Sequence, residues 1–426
     1  MALFQQIESQ KDLLTGNQLS SLNLFLEQGF PTKKDEEYKY TNLREITEKD
    51  YSFSPNESHN ITDSQFQELH LDEADFDYIV FVNGKIHPEL SKISFENAEF
   101  FSLKNVSLDP EKKEILNKYL DKIATKDSAF INLNRAFSSE GFFLKVGKNQ
   151  IIEKPIHVFY LSQNQVQNAF YNVRNLLIAE EGAHVEIIES HHNFDNFYTL
   201  TNSVTEIFAE KNSKADWHKL QNDSLFSYLM DHTFVKQERD SLATVNTFSF
   251  GGKLTRNNLD FIHNGENINS FMNGITIIGK DQLVDHHTAV HHKTPHCESY
   301  QNYKGIFKDN SKGVFNGKVF VDQLAQKTNA YQQNNNILLD EGASIETKPQ
   351  LEIFADDVKC SHGCTVGQIN EDALFYLRAR GIGKDKAMAL LLVAFSHDAL
   401  KNIDIEPLKK KISFLLAEKL EVDLGF

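Results

Sequence analysis

From Gly141 to Asp340 the chain reads as one strand after another, and no part of it repeats as an amphipathic helix. FFLKV, PIHVFYL, VRNLLIA, HVEIIE, SVTEIFA, LATVNTFSF, LDFIH, GITIIG, GKVFV and NILLD follow one another, separated by turns rich in Gly, Asn, Asp and Lys. The turns recur. Gly182, Asn212, Arg239 and Gly265 lie 30, 27 and 26 residues apart, and Asn310 and Gly342 differ by 32. A pitch of about 25 to 30 residues, with one to two strands per half-turn, suits a coiled stack of parallel strands in which each rung covers its neighbour. Such a β-solenoid needs inward positions that are apolar and of suitable size, so it leaves little exact sequence repeat. The same spacing also fits a β-sandwich.

The flanks read differently. Phe4 to Gly29 is a helical region with apolar positions at Leu13, Leu14, Leu19, Leu22, Leu24 and Phe25 and a stop at Gly29. The charged segment PTKKDEEYKYTNLREI that follows reads as a solvated turn leading into a short helix. Strand patterns begin at YIVFVNG, where Asn83-Gly84 is a hairpin signal, and continue through KIHPEL and AEFFSL. Ile115, Leu116, Tyr119, Leu120 and Ile123 form a helical stripe between Pro110 and Ile123. After Gly367 the pattern turns helical for good, with Asn370 as N-cap of Glu371–Arg380, then Lys384 to about His397, then Pro407–Leu420. The middle helix, with its AMALLLVAF run, is apolar on nearly every side and therefore needs cover on more than one flank. The expected division is a helical region over 1–77, a strand-rich region with its β-helix over 78–368, and a helical domain over 369–426.

Composition narrows the function. A net charge of −16 over 426 residues opposes nonspecific binding to nucleic acid or anionic lipid. The longest apolar run, Ala387–Phe395, is far short of the ~20 residues of a spanning helix, and the N-terminus has no basic start followed by an apolar core. The expectation is a cytoplasmic protein without membrane contact. Three cysteines make an odd set with no framework spacing, as expected of reduced thiols. No phosphate-binding loop occurs: Gly147-Lys148 is followed by Asn149, and the third glycine after Gly381-Ile-Gly383 is replaced by Lys386.

The soft metal ligands gather just before the helical switch. Cys360 and His362 in KCSHG share one face of a strand, about 6 to 7 Å apart, with Cys364 two residues on. Two protein ligands fall short of the four a closed zinc site needs, and a buried cysteine is the plain structural alternative for Cys360; Cys364 is a secondary candidate, an extra ligand or, the preferred reading, a small apolar filler. Cys297 is a further ligand only if folding brings it near. Of the pairs His191-His192, His286-His287 and His291-His292, none can chelate one ion on a regular strand, because adjacent residues face opposite sides. His287 and His291 share a face and are secondary candidates beside a surface or packing role.

DDVKCSHG, TVGQINEDALFYLRARGI, GVFNGKVFV and AQKTNAYQQNNNILLDEGASIETKPQLEIFADDV closely resemble the SufB/SufD family of iron–sulfur cluster assembly subunits. PTKKDEEYKYTNL resembles the family's entry segment, with Tyr38 where a tryptophan is common. Where SufB carries a cysteine, Tyr331–Leu338 reads YQQNNNIL, so the resemblance is to the SufD side. It implies a right-handed parallel β-helix and a non-catalytic scaffold subunit working with SufB and the ATPase SufC. It also implies a transient cluster or iron at the interface with SufB, with His362 as the residue implicated there and Cys360 in the same motif. Docking of SufC would fall on the C-terminal helices through Leu390, Leu391 and Phe395. A homodimer in isolation is compatible with the family, as is reduced flavin in the complex, for which this sequence has no motif. A β-helix enzyme acting on polysaccharide is the rival from another class; adjacent acids such as Glu180-Glu181 and Asp356-Asp357 point apart on a strand, whereas such an enzyme needs two that converge.

Overall fold

The computed structural model describes residues 2–53, 58–71, 75–106, 109–125, 128–138, 140–163, 165–401 and 403–421. Its strands alternate between two sheets, of ten and nine strands, each new rung adding one strand to each. In the first sheet the parallel ladder runs from Asp77–Val82 through Ile156–Ser162 to Lys359–Gly367, and in the second from Phe142–Val146 to Ser344–Ile353. From Phe142–Val146 onward a rung takes 26 to 33 residues, from Tyr228 opposite Leu254 to Phe143 opposite Leu176. This is a parallel β-helix and not a sandwich. Asn83 and Gly84, both at positive φ, turn the hairpin between Asp77–Val82 and Lys85–Ile86.

The turns stack as well as the strands. Gly182 N–H donates to Lys211 O at 2.9 Å and Asn212 N–H to Arg239 O at 3.0 Å, and Asn149, Gly182, Asn212 and Asp240 all have φ between 56° and 72°. Asn, Asp and Gly tolerate that left-handed conformation best. Turn composition and pitch thus have one cause.

Helices cover both outer faces. Leu3–Glu8, Gly16–Gln28 and Ala129–Phe137 seat Leu22, Phe25, Phe130 and Leu133 against Phe170, Leu200 and Met230 of the second sheet. The helix Ala129–Phe137 has no counterpart in the sequence reading. The three C-terminal helices, Glu371–Ala379, Lys384–His397 and Glu406–Lys419, begin and end within a residue of expectation. Asn370 Oδ1 accepts from Ala373 N–H at 2.9 Å, and Gly381 takes φ +86° after the first. Leu408, Ile412, Leu415 and Leu416 bury against Leu220, Phe248 and Ile275 of the first sheet, each worth ~1.5 to 3 kcal/mol. The AMALLLVAF helix packs on Glu371–Ala379, on the last helix and on the strand Glu298–Phe307, with Ala387, Ala389 and Leu392 buried.

Four strands escaped the apolar pattern altogether, Lys214–Gln221, Ser227–Gln237, Leu283–His292 and Glu298–Phe307, and Ser344–Ile353 shows it only at Leu351 and Ile353. Inside the first four, polar inward positions are interspersed among apolar ones such as Trp217, Val235 and Val290, and many of them bond to one another. Lys219 pairs with Asp231 and donates to Thr233 Oγ1 at 2.7 Å, while Trp217 Nε1–H and His191 hold the Glu189 carboxylate at 2.8 and 2.9 Å. Polar side chains at inward positions interrupt the apolar alternation that a strand is read from.

The segment expected to be a solvated turn is a strap across the second sheet. Tyr38 is buried under the Arg256 guanidinium, 4.0 Å from its ring centroid. Thr41 donates to Asp285, Glu37 meets His287 at 2.9 Å, and Glu36 pairs with Lys348. Burial alone would raise the Asp285 carboxyl, yet Arg256, His287 and Thr41 hold it well below the usual carboxylate range. Arg256→Met should therefore strand a buried carboxylate, costing about 3–5 kcal/mol and freeing the strap. The checks are the urea midpoint and the rate of tryptic cleavage at Lys33, Lys34 and Lys39. A midpoint at the parental value would refute the strap's dependence on this pair.

Candidate functional site at the open end of the β-helix

The last rung has a neighbour on one side only. Lys359–Gly367 ends the ten-stranded sheet and Ser344–Ile353 the nine-stranded one, so among the described residues each leaves one edge unpaired. Residues in parallel register point to the same side. Ala330, Gln332 and Asn334 are buried in the interior, and their ladder partners are Cys360, His362 and Cys364. All three ligand-type side chains thus follow the inward row onto a rung that nothing in the described chain covers. His362 and Cys364 are exposed, and Cys360 is half-buried against Ala330, Val321 and Leu351.

Burial pushes the Cys360 thiol up, with a hydrogen bond from the Ala330 backbone opposing it. It is therefore a thiol at neutral pH, and capture of a metal there releases a proton. Beneath the row the interior is polar. Gln332 donates to Gln301 Oε1 at 3.1 Å, Thr288 donates to the same oxygen at 2.7 Å, and Asn336 donates to Asn334 Oδ1 at 2.7 Å. Gln332 Oε1 has no hydrogen-bond partner although it is buried, and it belongs to the residue paired with His362. Sequence reasoning missed Gln332; its only signal is its position one rung before KCSHG. Around the mouth, Ile353, Phe354, Val366 and Tyr331 are exposed apolar or aromatic side chains.

The secondary candidates lie elsewhere. Cys297 is fully buried, with its Sγ 3.3 Å from Gly265 O. It precedes Glu298, which is two rungs below Lys359, and burial raises its thiol also. His287 and His291 share the outer face of the second sheet, as the alternation required, but His287 is held between Glu37 and Asp285 and His291 stacks on Phe320 at 4.5 Å. Their partners in the pairs, His286 and His292, are buried inward. Among the described residues no three His, Cys, Asp or Glu side chains converge as a metal site. Three of the four acids considered for a polysaccharide enzyme are engaged with lysines: Glu180 with Lys145, Glu181 with Lys148, and Asp357 with Lys327. On the AMALLLVAF helix Leu390 is 37% exposed, whereas Leu391 and Phe395 are half-buried.

Comparison with known proteins matches residues 160–395 to the SufBD core domain of the SUF system for FeS cluster assembly, and residues 5–158 to the SufBD protein N-terminal region. The chain belongs to the SufBD family. The boundary between the two matches falls inside Ile156–Ser162, the second strand of the first sheet's parallel ladder. The Escherichia coli iron–sulfur cluster assembly protein SufD is 30% identical over 403 residues, covering 94% of this chain and 91% of that protein. A SufBD family protein of Synechocystis is 31% identical over 390 residues, covering 90% and 86%. This chain is thus a SufD homologue and takes part in iron–sulfur cluster assembly of the Suf type. Among the described residues no helix is long and apolar enough to cross a membrane.

Proposed function

We propose that this chain is the SufD-type scaffold subunit of a SufBCD complex and shares a nascent cluster, or the iron for one, with SufB at the open end of the β-helix. The observation that carries this reading is the row Cys360–His362–Cys364, presented inward-facing on a terminal rung with a free backbone edge. A free edge accepts strands from a partner, and a second chain added there would bring the ligands this one lacks. Cluster iron takes thiolate mainly and imidazole as a substitute; His362 and Cys360 supply one of each. Ligating imidazoles are oriented by a hydrogen bond donated from their second nitrogen, and Gln332 Oε1 is the acceptor suited to receive it. An incomplete site of this kind binds its cargo loosely enough to hand it on. Hydrolysis of ATP belongs to SufC, docked on the C-terminal helices with Leu390 outward.

Co-expression with SufB and SufC, purification through a tag on this chain and anaerobic ultraviolet–visible spectroscopy test partners and cargo together. A stable complex with cluster absorbance is expected; recovery of this chain free of both partners would overturn the assignment. Leu390→Asp tests the SufC surface. Its partial exposure predicts a stability loss within about 1 kcal/mol, with SufC lost from the complex and SufB retained. Retention of SufC at parental stoichiometry would move the docking surface off this helix.

A further inference from the structure

A groove of about 750 Å³ runs along the outer side of the second sheet, walled by the helix Pro110–Tyr119 and the loop after it. Six lysines line it, Lys118, Lys122, Lys148, Lys211, Lys236 and Lys293, against three acids, Glu180, Glu181 and Glu210. In a chain of net charge −16 this is a local reversal of sign. Glu180 is neutralised by Lys145 at 3.3 Å and Glu181 by Lys148 at 2.8 Å, and neither lysine is then available to a ligand. Lys236 is taken by Glu238 at 2.9 Å. Among the described residues Lys118, Lys122, Lys211 and Lys293 have no carboxylate within ion-pair distance, and all four are exposed. The floor is apolar: Phe208 and Ile123 are buried, and Tyr119 and Ile262 are half-buried.

The shape of the groove follows from the stacking. Val146, Ala179, Ala209, Gln237, His263 and His292 are successive ladder partners, and the lining residues leave the strands just beyond them. Five steps of about 4.8 Å give a length of roughly 24 Å, the span of about seven residues of extended chain. Small molecules are held in sites that enclose most of their surface; this one is long, open and rimmed by point charges. Lysines, unlike arginines, offer no planar fork for a phosphate or a single carboxylate, and so favour a ligand whose negative charges are distributed along its length.

We infer that this groove is a docking site for an extended acidic segment of a partner protein, with apolar residues on the Phe208–Ile262 floor and carboxylates against Lys122, Lys211 and Lys293. It lies on a different face from the terminal rung and is independent of the cluster assignment. The test uses the full chain and a fluorescein-labelled peptide, Glu-Leu-Asp-Leu-Glu-Ser-Asp-Leu-Glu, read by anisotropy. The controls are the same peptide with lysine for each acid and a short single-stranded oligonucleotide. The acidic peptide should bind, weaken as salt is raised, and lose at least tenfold in affinity in the double variant Lys211→Glu, Lys293→Glu. Both positions are exposed, and an unchanged circular dichroism spectrum and melting temperature confirm the fold. Absence of binding to the acidic peptide, binding indifferent to the charge reversal, or tighter binding of the oligonucleotide would each overturn the inference.

Discussion

His362→Ala is expected to leave the complex with SufB and SufC assembled while cutting cluster formation at least tenfold. The side chain is exposed on the terminal strand, so truncation should change stability by no more than ~1 kcal/mol, and the strand's backbone edge remains as it was. What is lost is one ligand from a site that this chain fills only in part. Cys360→Ser should have an equal or smaller effect, because serine keeps the shape and removes the soft sulfur. Gln332→Leu separates orientation from ligation: it keeps the imidazole, removes its suggested acceptor and should reduce cluster yield less than His362→Ala. The readouts are cluster absorbance after anaerobic reconstitution and stoichiometry by gel filtration. A His362→Ala complex that builds clusters at the parental rate and yield would reduce KCSHG to the closing rung of the β-helix.

Mild acid should unfold the protein. His157, His263, His286 and His292 are buried and His192 is half-buried, and burial is the first cause that lowers each of them, to about 3 for His192 and His292 and about 4 for His286. His263 and His292 show why. Their Nδ1 atoms are 3.0 Å apart, His263 Nε2 meets Ser270 Oγ at 2.6 Å, and Ser270 donates its only proton to Gln237 Oε1. Nε2 of His263 must then be the donor and its Nδ1 accepts from His292, so a second proton on His263 would set two N–H groups against each other. The native state therefore holds these rings neutral while the unfolded chain takes up protons below pH ~6.5, so stability is lost as pH falls from there toward the native values. At pH 5 each ring with a native value below 5 costs on the order of 2 kcal/mol, or about 6 kcal/mol for His192, His286 and His292 together. That is comparable to the whole stability of many domains, about 5–15 kcal/mol. Asp223 and Asp231, raised by burial, work in the opposite sense, but only near the carboxylate range. Urea midpoints between pH 7.5 and 5 give the answer: a steep fall is expected, and a flat profile would mean the buried rings bind protons in the native state.

Much of the architecture was present in the sequence by itself. Turn composition marks where the backbone must take positive φ, and the turns recur because each rung must return to stack on the last; Gly182 and Asn212 announce this without any knowledge of their neighbours. Caps and stops are local too, which is why Asn370, Gly381 and Pro407 placed the C-terminal helices. The period of two put Cys360 and His362 on one face, and also Cys364, whose treatment as filler gave no hint that it extends the same row.

Which face is inward, and what covers the outer one, only the tertiary structure decided. Helices lie on both sheets, so strands such as Ile156–Ser162 are buried on both sides and alternation carries no direction. Contacts over long separations are equally silent in sequence: Glu36 and Glu37 look solvated because Lys348 and His287 stand some 312 and 250 residues away. Cys297 and Cys360 are the same residue type, and their difference comes from rung number. Cys297 has a rung stacked on either side, whereas Cys360 has one on a single side, because the ladder stops at the strand that carries it. A site made by ending a repeat is visible only when the whole stack is in place.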